Sequence, residues 1–183
     1  MKPAVFAVLF FALAAVFIGC KRENKNLLPQ ASGVVIFPDA GVSIDVGTGW
    51  KRIDVNPGLP VCPPTLVGSA GIVRARLFAP GISDMPAATN AVNAMFNDDN
   101  DADKNSFHQE DFTTGSGLRG QHIFYNERTG KNGSVTEMRS HRFIIQRQDG
   151  RCAAISYIAT TNSDSSNVCA MILNSLKLQQ ARW

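Results

Sequence analysis

Apolar positions recur along this chain at two periods, and one run follows neither. Ala4 to Ile18 is unbroken apolar, preceded by Lys2 and followed, past Gly19 and Cys20, by the polar stretch Lys21-Arg22-Glu23-Asn24-Lys25-Asn26. Residues 21–33 read as a tether, and the ordered pattern begins at Val34. Val34-Val35-Ile36-Phe37 predicts a short strand stopped by Pro38-Asp39. Val42-Ser43-Ile44-Asp45-Val46 alternates at period two, Gly47-Thr48-Gly49 is a turn signal, and Trp50 to Val55 reads as the hairpin partner. Residues 56–71 read as a loop carrying Cys62, and Ile72 to Phe78 as a strand with Val73, Ala75 and Leu77 on one face. The period then changes. Ser83 or Asp84 can cap a helix with Pro86 in its first turn and Ala88, Val92, Met95 and Phe96 on its inner side. Past an acidic segment, Ser106–Thr114, Leu118–Arg128, Val135–Gln148 and Cys152–Thr161 form a meander, with Asn132-Gly133 and Asp149-Gly150 as hairpin turns. Taking Asp149-Gly150 as a two-residue turn sets Ile144 opposite Ile155, and Phe143 opposite Ser156. Both faces of that hairpin are then apolar, which calls for helices on both sides. Ser163-Asp164-Ser165-Ser166 starts a last helix with Val168, Ile172, Leu173 and Leu176 inside.

The first run is fifteen residues long. Signal-peptide cores run to about 15 residues, whereas a membrane-spanning helix needs roughly 20. Ile18-Gly19-Cys20 resembles the lipobox of bacterial lipoprotein signals, although Phe17 stands where an aliphatic residue is more usual. The resemblance implies a signal peptide over residues 1–19, a diacylglycerol on the Cys20 thiol and an acyl chain such as palmitate on its amine. Two alternatives compete: ordinary cleavage after Ala12-Leu13-Ala14, which would leave Ala15 to Ile18 exposed at the new terminus, and an uncleaved anchor. The lipoprotein reading places the protein in the bacterial cell envelope, facing the periplasm. Lys21, rather than aspartate, follows the cysteine, which by resemblance to enterobacterial lipoproteins points to the outer membrane.

Removing residues 1–19 leaves 164 residues with 17 basic and 15 acidic side chains. That length supports one domain, 34–183, behind a tether of residues 20–33. The near-neutral balance gives no case for nucleic acid. Lipidation of Cys20 leaves Cys62, Cys152 and Cys169, and an oxidising envelope favours one disulfide among three thiols. Cys152 opens a strand climbing about 30 Å at roughly 3.3 Å per residue, while Cys169 lies about a turn into the helix that returns. Those two thiols therefore sit apart, beyond the roughly 7 Å between Cα atoms that a bridge spans. Cys62, in the long loop, can reach either. Cys62–Cys169 is the pairing carried forward, with a buried free thiol as the alternative for each.

The order of elements is a hairpin, a crossover helix, an antiparallel four-strand meander and a closing helix. With Gly41-Val42-Ser43-Ile44 leading to Gly49-Trp50, Gly120 in the strand after Phe112, and Ile172-Leu173-Asn174-Ser175-Leu176 at the end, it resembles the PsbP-like α/β/α sandwich. The resemblance spans about Val34 to Leu178 and implies an α+β fold, a mostly antiparallel sheet flanked by helices. Members of that group are mostly binding or assembly factors without a shared catalytic site, so no site residue transfers.

Few constellations carry chemistry. Asp99, Asp101, Asp103 and Glu110 occupy positions 1, 3, 5 and 12 of a calcium-type loop, but Lys104 replaces the glycine of its sharp turn. A solvated acidic loop is the plainer reading. His122 and His141 fall diagonally on one face of the hairpin closed by Asn132-Gly133, beside Phe124 and Phe143; a zinc site needs a third ligand, and none is evident. His108 is the remaining histidine. No Gly-x-Ser-x-Gly elbow or phosphate loop is present, and Cys152 and Cys169 lie in apolar surroundings with no base beside them. Arg139, Arg142, Arg147 and Arg151 gather around one hairpin as a charged edge. The sequence thus predicts a lipid-anchored envelope protein of binding or accessory role, with no cofactor and an envelope protein partner. A small-ligand or calcium-binding lipoprotein is the alternative, and an enzyme is the least supported reading.

Overall fold

The computed structural model describes residues 30–53, 65–131, 134–162 and 165–179. Nine strands form one antiparallel sheet: β1 (Gln30–Phe37), β2 (Val42–Ile53), β3 (Thr65–Gly68), β4 (Gly71–Leu77), β5 (His108–Thr113), β6 (Arg119–Lys131), β7 (Ser134–Gln146), β8 (Cys152–Thr160) and β9 (Lys177–Leu178). The order across it is β1-β2-β3-β4-β8-β7-β6-β5, with β9 paired to β2. Helix α1 (Met85–Asp98) carries the chain from β4 to the far edge, and the meander walks back until β8 zips onto β4. Helix α2 (Ser166–Ser175) closes the other side. This is the α+β sandwich with a covered sheet that the pattern predicted.

Alternation decides which helix covers which face. Val73, Ala75, Phe143, Ile145, Ile155 and Tyr157 point to one side and pack with Val168, Ile172 and Leu176 of α2. Ile123, Tyr125, Ile144 and Cys152 point to the other and pack with Ala88, Val92 and Phe96 of α1. Asp84 caps α1, its Oδ1 accepting from the Ala87 amide at 2.7 Å, and proline occupies the first turn. Met95, expected inside, is exposed, and Thr89 takes a buried place on α1 instead.

Three expectations are corrected. Gly47-Thr48-Gly49 does not turn the chain: Val46 pairs with Gly33 and Trp50 with Ala31, so β2 runs on through a bulge and its hairpin partner is β1. Gly49, at φ +93, supplies the left-handed residue that the bulge uses. Secondly, the stretch read as loop contains β3, which inserts between β2 and β4. Thirdly, the β7–β8 register is shifted by one residue: Phe143 pairs with Ile155 and Ile144 with Ala154. The turn is a three-residue loop, 148–150, in which the Arg147 amide donates to the Arg151 carbonyl and Gly150 takes φ +79. An αL glycine after a type I turn is the next hairpin solution once two residues do not suffice. The first strand begins at Gln30, four residues before the domain start expected at 34. Cys20 and Cys62 lie outside the described residues, as does the Asn132-Gly133 turn, flanked by the closing pair Lys131 and Ser134. Among the described residues no helix is long and apolar enough to cross a membrane.

Candidate functional site

The polar exception in the core lies on the α2 side of the sheet. Cross-strand pairing sets Glu110 of β5 beside His122 of β6, His122 beside Phe143 of β7, and Phe124 beside His141 of β7. His122 and His141 are therefore diagonal neighbours, as the hairpin register predicted, and their rings lie 5.2 Å apart between centroids. Both are buried, at 5% exposure. His122 stacks on Phe143 at 4.2 Å with 6° between planes, and His141 on Tyr157 at 5.4 Å.

A chain of polar contacts runs inward from the surface. The exposed Glu110 carboxylate accepts from His122 Nδ1 at 2.8 Å. His122 Nε2 meets His141 Nδ1 at 3.0 Å, and the Cys169 Sγ of α2 lies 3.6 Å from that same nitrogen. Burial lowers the pKa of His122 against the opposing pull of Glu110. His141 falls to about 3, through burial first, then His122, Arg139 and Arg142. Burial also pushes the Cys169 thiol up to about 11. At neutral pH the chain thus holds two uncharged imidazoles and a protonated thiol.

The tautomers follow. With Nδ1–H of His122 donated to Glu110, its Nε2 is a bare acceptor, so His141 donates from Nδ1. That leaves the buried Nε2 of His141 with no hydrogen-bond partner. An unsatisfied buried polar group costs about 1–3 kcal/mol, and no packing requirement asks for it. Phenylalanine or tyrosine fills the neighbouring positions 124, 143 and 157.

The zinc reading of the sequence stalled on a third ligand. Cys169 is that group: His122, His141 and Cys169 offer ligand atoms within 4.8 Å of one another, the one such cluster among the described residues. Sequence reasoning had placed Cys169 in apolar surroundings without a base, and its partner stands 28 residues away on another element. A usable signal was the helical spacing, since Cys169 and Leu173 flank the stripe Val168, Ile172 and Leu176 and are partly buried against the core. Cys152 packs on the α1 side, so the sheet itself separates it from Cys169. Both are free thiols.

The acidic segment is organised differently from a calcium loop. Lys104 donates from Nζ to the carbonyls of Phe96, Asn97 (3.2 Å) and Asp99 (2.7 Å), and lies 4.4 Å over the Phe96 ring. It closes the C-terminal end of α1 with a cation. Asp99 and Asp103 accept from the amides of Asp101 and Asn105, and Glu110 is turned to His122. The four carboxylates do not converge. The arginines are likewise engaged: Arg139 with Asn126, Arg142 with the His141 carbonyl, and Arg147 with Ala40 and Asp149. The largest concavity, about 500 Å³ and open to solvent, runs along Met85, Asp111, Phe112, Arg119 and Gln121, and no member of the histidine cluster lines it.

No protein-family model matches this chain, and no curated protein sequence matches it. Solved structures do. A protein of Bacteroides thetaiotaomicron VPI-5482 is 14% identical at a TM-score of 0.50, over 81% of this chain and 49% of that one, so this chain spans about half its length. LpqN, described as involved in cell envelope biogenesis of Mycobacterium tuberculosis, is 13% identical at 0.49, over 85% of this chain and 94% of that one. CyanoP, the cyanobacterial PsbP of Synechocystis sp. PCC 6803, is 11% identical at 0.46, over 85% and 96%. At such identities the likeness is one of fold alone, the α+β sandwich described above.

Proposed function

We propose that this protein is a lipid-anchored component of the bacterial cell envelope that acts by binding rather than by catalysis. The observation that carries the reading is Ile18-Gly19-Cys20 closing an apolar run of signal-core length. Several acyl chains on Cys20, at about 0.8 kcal/mol per buried CH2, hold a domain of this size at a membrane. The tether then ends only about ten residues before Gln30, where β1 enters the sheet at its edge. The domain would sit close to the bilayer with this edge strand nearby, and Val34 and Ile36 expose apolar side chains along it. Placement in the outer membrane facing the periplasm, and an envelope protein as partner, belong to this reading. No catalytic role is assigned, since burial keeps Cys169 a thiol rather than a nucleophilic thiolate at neutral pH.

The test is fractionation and crosslinking in the native envelope. Wild type should partition with membranes and Cys20→Ser should be released to the soluble fraction. A single stoichiometric crosslinked protein, lost in Cys20→Ser, would identify the accessory role. Membrane retention of Cys20→Ser would overturn the lipid anchor.

A further inference from the structure

We propose that His122, His141 and Cys169 form a binding site for a thiophilic divalent transition-metal ion of the zinc class. Glu110 acts as the carboxylate that orients His122. The inference is independent of the membrane anchor.

Geometry is the first support. A tetrahedral ion bonded at about 2.0–2.1 Å to nitrogen and 2.3 Å to sulfur spaces its ligand atoms about 3.3–3.6 Å apart. The two sides given by direct contacts are 3.0 Å between the imidazole nitrogens and 3.6 Å from sulfur to nitrogen. The third lies within 4.8 Å, so closing the triangle asks for a movement of about 1 Å at most. Cys169 is only partly buried and can make it.

The surroundings are the second support. Metal-bound histidines donate their remaining ring N–H to a carboxylate or carbonyl, which fixes the tautomer. His122 does this already, from Nδ1 to Glu110 at 2.8 Å, and so aims the Nε2 lone pair at His141 and Cys169. The stacked rings of Phe143 and Tyr157 hold both imidazoles in place. His141 is uncharged at neutral pH, as a ligand must be, and its Nδ1 needs only to pass its proton to Nε2 to face the ion. The buried and unsatisfied nitrogen is thus on a ring with a use.

Binding is a displacement. The ion forms bonds to His122 Nε2, His141 Nδ1 and Cys169 Sγ, and the thiol proton leaves to solvent. One proton is therefore released per ion, and affinity falls with falling pH. Arg139 and Arg142 face the cluster from β7 and oppose the cation, while favouring the thiolate. Glu110 faces it from β5, and a cation, a thiolate and this carboxylate together neutralise one another. Soft sulfur with two imidazoles selects against calcium and magnesium, which take oxygen.

The experiment titrates the full-length chain, in detergent and under a phosphine reductant, with Zn2+ and separately with Co2+ as spectroscopic probe. One equivalent should bind with release of one proton, and Co2+ should give a thiolate charge-transfer band in the near ultraviolet. Cys169→Ser, whose fold is checked by circular dichroism, should lose the band. Glu110→Gln should keep it while weakening Zn2+ binding about 10–100-fold. His108→Ala, an exposed control, should match wild type. Absence of the band in wild type would overturn the site, as would its survival in Cys169→Ser or its loss in Cys62→Ser. So would a Cys62–Cys169 disulfide found by mass spectrometry in protein isolated without reductant, because the bridge and the metal compete for one sulfur.

Discussion

The two faces of the sheet do the same packing work with opposite chemistry. Under α1, the seal is made by Ala88, Val92, Phe96, Ile123, Tyr125, Ile144 and Cys152. Phe96 anchors it, with Phe107 at 4.7 Å and Tyr125 at 4.8 Å between ring centroids, and Lys104 over its open side. Under α2 the same alternation places two imidazoles and a thiol among Phe143, Ile155 and Tyr157. The difference teaches what each face is for. Burial of apolar area stabilises both, yet only the α2 face bears an unsatisfied polar atom and depends on every group in its chain staying uncharged. A face built for stability alone has no such atom.

The comparison can be broken first on the apolar side. Phe96→Ala should cost about 3–5 kcal/mol, because it empties the centre of the α1 face and removes the ring on which Lys104 rests. For a domain of this size that is a fall in Tm of roughly 6–20 °C at about 2–4 °C per kcal/mol, read by thermal denaturation. The metal affinity of the other face should be unchanged, since the sheet lies between.

The second effect is acid lability confined to the α2 side. His141 has a folded pKa of about 3 against an ordinary value of 6.5. The unfolded chain therefore binds more protons below 6.5, and stability is fully present above that pH. It is lost as pH falls toward 3. The limit of that loss is roughly 5 kcal/mol, at about 1.4 kcal/mol for each pH unit of separation. Urea melts of the metal-free protein in chelator from pH 7 down to 4 should show it, and His141→Phe should flatten the slope. An unchanged slope in that variant would mean that the charge cost sits elsewhere.

How much of this was legible depended on where the information lay. Asp84-Met85-Pro86 states its own helix start, because cap and proline act within four residues. The pairing of His122 with His141 followed from a two-residue Asn132-Gly133 hairpin, and that counting held. The same counting failed at Asp149-Gly150 by one residue, since glycine serves equally a two-residue turn and a three-residue one with an αL end. A slip of one turns every β8 side chain to the other face, so Ile155 joined Phe143 instead of Ile144. Gly47-Thr48-Gly49 misled for a related reason: glycines mark bulges as well as turns. Cys169 was hidden because its neighbours come from β7 and α2, and no local pattern sets where a helix flank lands on a distant sheet row.

The smallest effect on stability is the sharpest on function. Glu110→Gln removes a charge whose carboxylate is exposed, so the pair with His122 contributes within about 1 kcal/mol at neutral pH. The neutral amide oxygen still accepts from Nδ1, keeping the tautomer. What changes is the electrostatic support: Glu110 raises the pKa of His122 against the larger effect of burial. Without it His122 is harder to protonate in the fold, so a slightly steeper loss of stability below its ordinary pKa is expected in acid melts. The same lost charge makes Nε2 a poorer donor to a cation. A variant that melts with wild type at neutral pH yet binds Zn2+ more weakly by about ten-fold or more would show that Glu110 tunes a ligand rather than braces a sheet. Equal affinity with lowered stability would reverse that assignment and return the histidines to the role of core residues.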